Sequence, residues 1–118
     1  MNTLIRSYNE VQKQFYYFYN GEYYLDVDCK VPMVRKDFFH WNNSEWCSGL
    51  TDINGKKIFV GDIYNMGDES ILYVVEWIDC GLKGRQISNK SCVGLDYWND
   101  KIVIVSNIHD NPELLKVQ

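Results

Sequence analysis

Two Asn-Gly pairs, Asn20-Gly21 and Asn54-Gly55, each stand between runs of strand-like residues. Asn and Gly tolerate the positive φ of a tight hairpin turn, so each pair fixes a chain reversal and the pairing beside it. Residues 46–63, WCSGLTDINGKKIFVGDI, therefore read as strand, two-residue turn, strand, bend at Gly61-Asp62, strand. Ile58 and Val60 fall on one face of the second strand. Residues 14–27 read as a second hairpin, in which Tyr19 faces Glu22, Phe18 faces Tyr23 and Tyr17 faces Tyr24. Alternation puts Tyr16, Phe18, Tyr23, Leu25 and Val27 on one face and Phe15, Tyr17, Tyr19, Tyr24, Glu22 and Asp26 on the other. The first face is the better core; the second is aromatic but rimmed by acids.

The remaining elements follow from pattern. Residues 4–8 form a short first strand. Val31-Pro32 imposes extended backbone before the proline, and Arg35 to Trp41 fits either a helical turn or a strand. Ser70 to Ile78 is apolar almost throughout, as a central strand is, with Ile71, Tyr73, Val75 and Trp77 on one side. Residues 79–91 read as a loop or loose hairpin, Cys92 to Trp98 as a further strand, and Lys101 to Ser106 as a short buried one. Asn111 with Pro112 and Glu113 marks the cap and first turn of a last helix ending near Val117. The expected architecture is mainly β: one domain over 1–118, with an N-terminal aromatic hairpin region (1–45), then an SH3-like barrel or sandwich core with a short C-terminal helix (46–118).

Composition narrows the function classes. Aromatic content is 15%, with nine Tyr and four Trp, which suits pleated surfaces. A net charge of −4 leaves little basic surface for duplex DNA. Cys29, Cys47, Cys80 and Cys92 have no paired spacing, so four reduced thiols and no metal or cofactor are expected. Met1 to Asn9 holds no apolar signal region, and no run approaches the ~20 apolar residues of a membrane span. A soluble protein of the host cell cytoplasm is the expectation.

Gly49-Leu50, Asp52, Asn54-Gly55-Lys56, Ile58 and Gly61-Asp62-Ile63 resemble the signature of the YopX-like phage proteins, roughly GLxDxNGKxIxxGDI. Tyr73-Val74-Val75-Glu76-Trp77 resembles that family's next strand. Val105 to Leu115 resembles its ending, VxGNIxxNPELL, with Ser106 where the family has Gly. Leu4-Ile5-Arg6 to Phe18 resembles its opening FRAWD segment, with Ser7-Tyr8-Asn9 in place of Ala-Trp-Asp. The resemblance implies a small, largely β, phage- or prophage-encoded protein, and it carries over no catalytic residue.

Several constellations could carry chemistry. Glycine and cations in residues 81–91 make Lys83, Arg85 and Lys90 a candidate anion or nucleotide site, against a solvated loop. Phe15, Tyr17, Tyr19 and Tyr24 are candidate interface residues, against packing within the chain or stacking on bases. His109-Asp110 reads as a polar turn, with an acid–base pair as the alternative. Asp62, Asp68 and Glu69 read as solvated turn residues rather than a carboxylate pair; Glu76, inside an apolar strand, faces solvent at an edge or pairs with an Arg. His40 with Cys47, and Cys80 with Cys92, lack metal-ligand spacing.

The reading that results is a non-catalytic phage accessory protein that binds and blocks or sequesters a host component, a protein or a nucleotide-like ligand. Its task would be host takeover or counter-defence, and the protein would be a homo-oligomer. The alternatives are a small nucleic-acid-binding barrel and an enzyme of unrecognised type.

Overall fold

The structure is a computed structural model that describes residues 3–79, 81–95 and 99–116. The chain divides into two compact units, Met1–Cys47 and Ser48–Gln118. It is mainly β, and no helix among the described residues is long and apolar enough to cross a membrane.

In the first unit, strands β1 (Ile5–Asn9), β2 (Gln14–Tyr19), β3 (Glu22–Tyr24) and the start of β4 (Ser44–Thr51) lie antiparallel in the order β3-β2-β1-β4. The Asn20-Gly21 reversal is the predicted two-residue turn. Asn20 and Gly21 both have positive φ, 50° and 83°, and the strands pair Tyr17 with Tyr24, Phe18 with Tyr23 and Tyr19 with Glu22. One face carries the core of Tyr16, Met33 and Phe39, with Ile5, Phe18, Tyr23 and Phe38 against it. The irregular segment after β3 supplies that cover. It forms two 3-10 turns, Lys36–Phe38 and Trp41–Asn43, which answers the choice left open between helical turn and strand. Ser7 ties the segment to β1: its hydroxyl donates to the His40 carbonyl at 2.6 Å and accepts from the His40 N–H at 2.9 Å.

The second unit takes in the end of β4, beside β5 (Lys57–Phe59), and an antiparallel sheet in the order β10-β6-β7-β8-β9. Its strands are β6 (Asp62–Asn65), β7 (Tyr73–Ile78), β8 (Gly81–Gln86), β9 (Cys92–Gly94) and β10 (Val103–Asn107). Among the described residues the sheet has two ends, β10 and β9, so the barrel-like core expected within 46–118 is not closed. β7 is central as predicted. Its Tyr73 and Val75 join Ile58, Tyr64, Leu95 and Ile102 in one core, while Leu72 and Val74 join Ile63 and Ile87 in another. Each fully buried aliphatic side chain among these is worth roughly 1.5–3 kcal/mol of transfer free energy.

Asp52 organises the turn at Asn54-Gly55. Its Oδ1 accepts the N–H groups of Asn54 and Lys56, both at 2.9 Å, and its Oδ2 accepts that of Ile104 at 3.0 Å. The Gly55 N–H donates to the Asp52 carbonyl at 3.0 Å, and Gly55 (φ 82°) is the left-handed residue. The reversal is thus a three-residue hairpin loop with a glycine bulge, one residue longer than the two-residue turn expected. Asp62, expected in solvent, is buried and holds the next bend through the Phe59 N–H at 2.8 Å.

Other expectations change with the tertiary structure. Residues 81–86 form a full strand paired on both sides, not a loop. β10 is an edge strand with Val105 half exposed, rather than a buried one. Trp77, placed in the core by alternation, is 60% exposed. The last helix is a single 3-10 turn, Pro112–Leu115, and the Asn111 side chain donates to Glu113 Oε1 at 2.8 Å instead of capping it. The strand read over Cys92–Trp98 holds for Cys92–Gly94. Asp96, Tyr97, Trp98, Cys80 and Val117 lie outside the described residues.

Candidate binding surface

A row of apolar side chains crosses the first unit's sheet. β1 pairs Ile5 with Trp46 of β4 on one side and with Phe18 of β2 on the other, and Phe18 in turn pairs with Tyr23 of β3. Directly opposed residues of an antiparallel ladder share a face, so Trp46, Ile5, Phe18 and Tyr23 form one line over four strands. Trp41 stands edge-on to Phe18, with ring centroids 5.0 Å apart, and its indole N–H donates to the Tyr23 hydroxyl at 3.3 Å. Trp46 is 55% exposed and Trp41 48% exposed. Phe39 packs on the row itself, with ring centroids 6.2 Å from Phe18, 5.4 Å from Tyr23 and 4.8 Å from Trp41, and with Met33 and Tyr16 it forms the core of this face. Cations flank the row: the Lys36 ammonium lies 5.9 Å from the Tyr23 ring centre, and the Arg35 guanidinium 4.8 Å from that of Phe38. Arg35 also bonds Asp37 at 2.8 Å, and that hydrogen bond is the main reason the Asp37 carboxyl is held below its ordinary value.

The expected interface residues fall on the opposite face. Phe15 is half-buried between the Tyr8 ring, 5.1 Å away and edge-on, and the Arg6 guanidinium, 4.2 Å from its centre. Tyr17 and Tyr24 are half-buried and Tyr19 is exposed. Arg6 and Glu45, cross-strand partners on this face, form a buried ion pair at 2.8 Å. The exposed tryptophans of this unit therefore stand by the face the sequence marks as core, while Tyr19 is exposed on the other. Neither tryptophan was marked as a site residue, and the signal available was their position beside a segment without periodicity.

Two of the cationic candidates share one strand and one carboxylate, and the third lies at the turn that follows it. Lys83 and Arg85 lie on β8; Arg85 is paired with Glu76, and Lys83 is the cross-strand neighbour of that carboxylate. Glu76 is on a central strand, so the alternative of pairing with an Arg is the one realised. Lys90 takes a left-handed φ of 65° at the turn after β8, where its N–H closes onto the Gln86 carbonyl at 2.8 Å. Gly84 serves packing: it faces the Tyr64 ring. His109 and Asp110 form a polar turn in which both N–H groups donate to Asn107 Oδ1. No group of three metal-ligating side chains occurs among the described residues.

These features define a small, mainly β protein whose first unit leaves two tryptophans half exposed beside its aromatic core. The chain belongs to the YopX family, whose profile, described as YopX protein, matches residues 6–116. The comparison with curated proteins finds no match.

Proposed function

We propose that this protein acts by binding: it is a non-catalytic, phage-associated protein that captures a host component on the half-exposed tryptophans of its first unit. The observation that carries the reading is the half-exposure of Trp41 and Trp46 beside the apolar core of that unit. Exposed tryptophans at the centre of an apolar patch are the residues that most often anchor a partner. Family membership supports the phage association. The test is affinity capture from infected host lysate with the tagged chain and its Trp41→Ala/Trp46→Ala variant. A component retained by the first, lost by the second, and bound again after purification is the expected result. Equal retention by both would reject the surface.

A further inference from the structure

We infer that Asn20 is a site of spontaneous covalent modification, losing its side-chain amide to the backbone nitrogen of Gly21, and that the same dipeptide at Asn54-Gly55 is protected by its turn. Asparagine followed by glycine is reactive because the second residue puts no side chain in the path of attack. The Gly21 nitrogen adds to Asn20 Cγ: an N–C bond forms and the Cγ–Nδ2 bond breaks. Ammonia leaves with the proton that the Gly21 nitrogen carried, and a cyclic succinimide remains. Water then opens the ring at one carbonyl or the other. One opening gives aspartate. The other routes the main chain through Cγ and gives isoaspartate, with an extra carbon in the backbone.

Both pairs meet the first requirements. All four residues are exposed, and a Cβ at either glycine would meet nothing within 4 Å. They differ in what holds the attacking nitrogen. The Gly55 N–H donates to the Asp52 carbonyl at 3.0 Å, and the N–H groups on either side of it, of Asn54 and Lys56, donate to Asp52 Oδ1 at 2.9 Å. The proton that must be lost is engaged, and the rotation about Asn54 that attack needs is braced.

The Gly21 N–H has no such partner among the described residues, and no side chain braces its turn. The turn is closed by the Tyr19–Glu22 pair, where the three-residue β3 begins. Asn20 already sits at a left-handed φ of 50°, a region costly for any residue but glycine, so rotation toward the attacking geometry releases strain. Register here depends on a turn of two residues. An added main-chain carbon would disturb the Phe18–Tyr23 pair, whose rings lie 4.9 Å apart, and through the Tyr23 hydroxyl would loosen Trp41.

The full chain is incubated in warm, mildly alkaline buffer, folded and in parallel in urea, and sampled over days. Peptide mass spectrometry reads conversion at Asn20 and Asn54, and enzymatic methylation reads the isoaspartyl product. In the folded chain Asn20 should convert several-fold faster than Asn54. In urea the two should convert at comparable rates, because only the dipeptide then counts. Gly21→Ala, with its fold checked by circular dichroism, should slow conversion at Asn20 several-fold and leave Asn54 unchanged. Asp52→Asn, which keeps the shape of the brace with one acceptor oxygen, should speed conversion at Asn54 alone. The isoaspartyl fraction should unfold at lower urea than Asn20→Asp, which has the new charge without the added carbon. Equal rates in the folded chain, or faster conversion at Asn54, would overturn the inference. An isoaspartyl fraction as stable as Asn20→Asp would overturn its structural consequence.

Discussion

The Tyr64 ring lies so close over Gly84 that a Cβ at position 84 would sit 1.6 Å from the Tyr64 hydroxyl oxygen and 2.7 Å from the ring carbon bearing it. Tyr64 is fully buried and stacks on Tyr73 at 5.2 Å, and its hydroxyl has no hydrogen-bond partner among the described residues. Glycine at 84 is thus required by space on a central sheet, not by backbone conformation. Gly84→Ala should cost about 3 kcal/mol or more, since the core can absorb neither atom without shifting. Tyr64→Phe on that background should recover part of the loss. Urea unfolding of the single and double variants checks both.

Tyr64→Phe alone should be neutral or stabilising by about 1 kcal/mol at pH 7, because it removes a buried polar atom with no partner. Burial, with Tyr73 adding, also holds the Tyr64 phenol above its ordinary 10.0. The folded protein keeps that proton where the unfolded chain loses it, so stability falls as pH rises past 10. The variant should show a shallower alkaline decline in its urea midpoint.

Arg6 and Glu45 test the other unit. Arg6→Ala leaves Glu45 buried without its guanidinium and should cost about 3–5 kcal/mol, while Arg6→Met with Glu45→Leu should return most of it. Thermal unfolding of the three variants gives the comparison.

Asp52→Ala removes three backbone hydrogen bonds from a buried carboxylate and should destabilise by roughly 2–4 kcal/mol. Asp52→Asn keeps the shape and one acceptor oxygen, and should cost less. The Ile104 amide should exchange with solvent faster in both.

Acid stability follows from carboxyls held low by local donors. The Val31 N–H lowers Asp26, the Ser70 hydroxyl lowers Asp68 and the Asn111 amide lowers Glu113, from ordinary values of 3.8, 3.8 and 4.5. Their folded forms release protons more readily than the unfolded chain does. The contribution is therefore complete above those ordinary values and is lost as pH falls through the lowered folded ones. The urea midpoint should decline below about pH 4, and Asp26→Asn should make the decline shallower.

The sequence made the local reversals legible, and the covering of faces less so. Asn20-Gly21 fixed its own register because two adjacent left-handed residues permit only one hairpin geometry. Asn54-Gly55 marked a reversal, but Asp52 draws in the N–H groups of Asn54 and Lys56 and lengthens the loop, a side-chain effect that dipeptide chemistry does not encode. Alternation assigned Trp77 to the correct face of β7, but not how far along the strand the core extends. Trp41 and Trp46 escaped for a related reason. Residues 28–45 carry no period, so where Met33 and Phe39 stop covering the sheet is decided by packing alone.

The seal along β3 also bears on edge-to-edge pairing between copies of this chain. A three-residue edge strand beside QFYYFY, a stretch that is aromatic, uncharged and free of proline, is a natural template for cross-β growth. Val31, Pro32 and Met33 turn that edge into an interior ladder position, and Pro32 presents no N–H to an incoming chain. The loop that looks least regular in the sequence is therefore the gatekeeper of an aromatic hairpin edge, and loosening it would leave that edge free to pair with another chain.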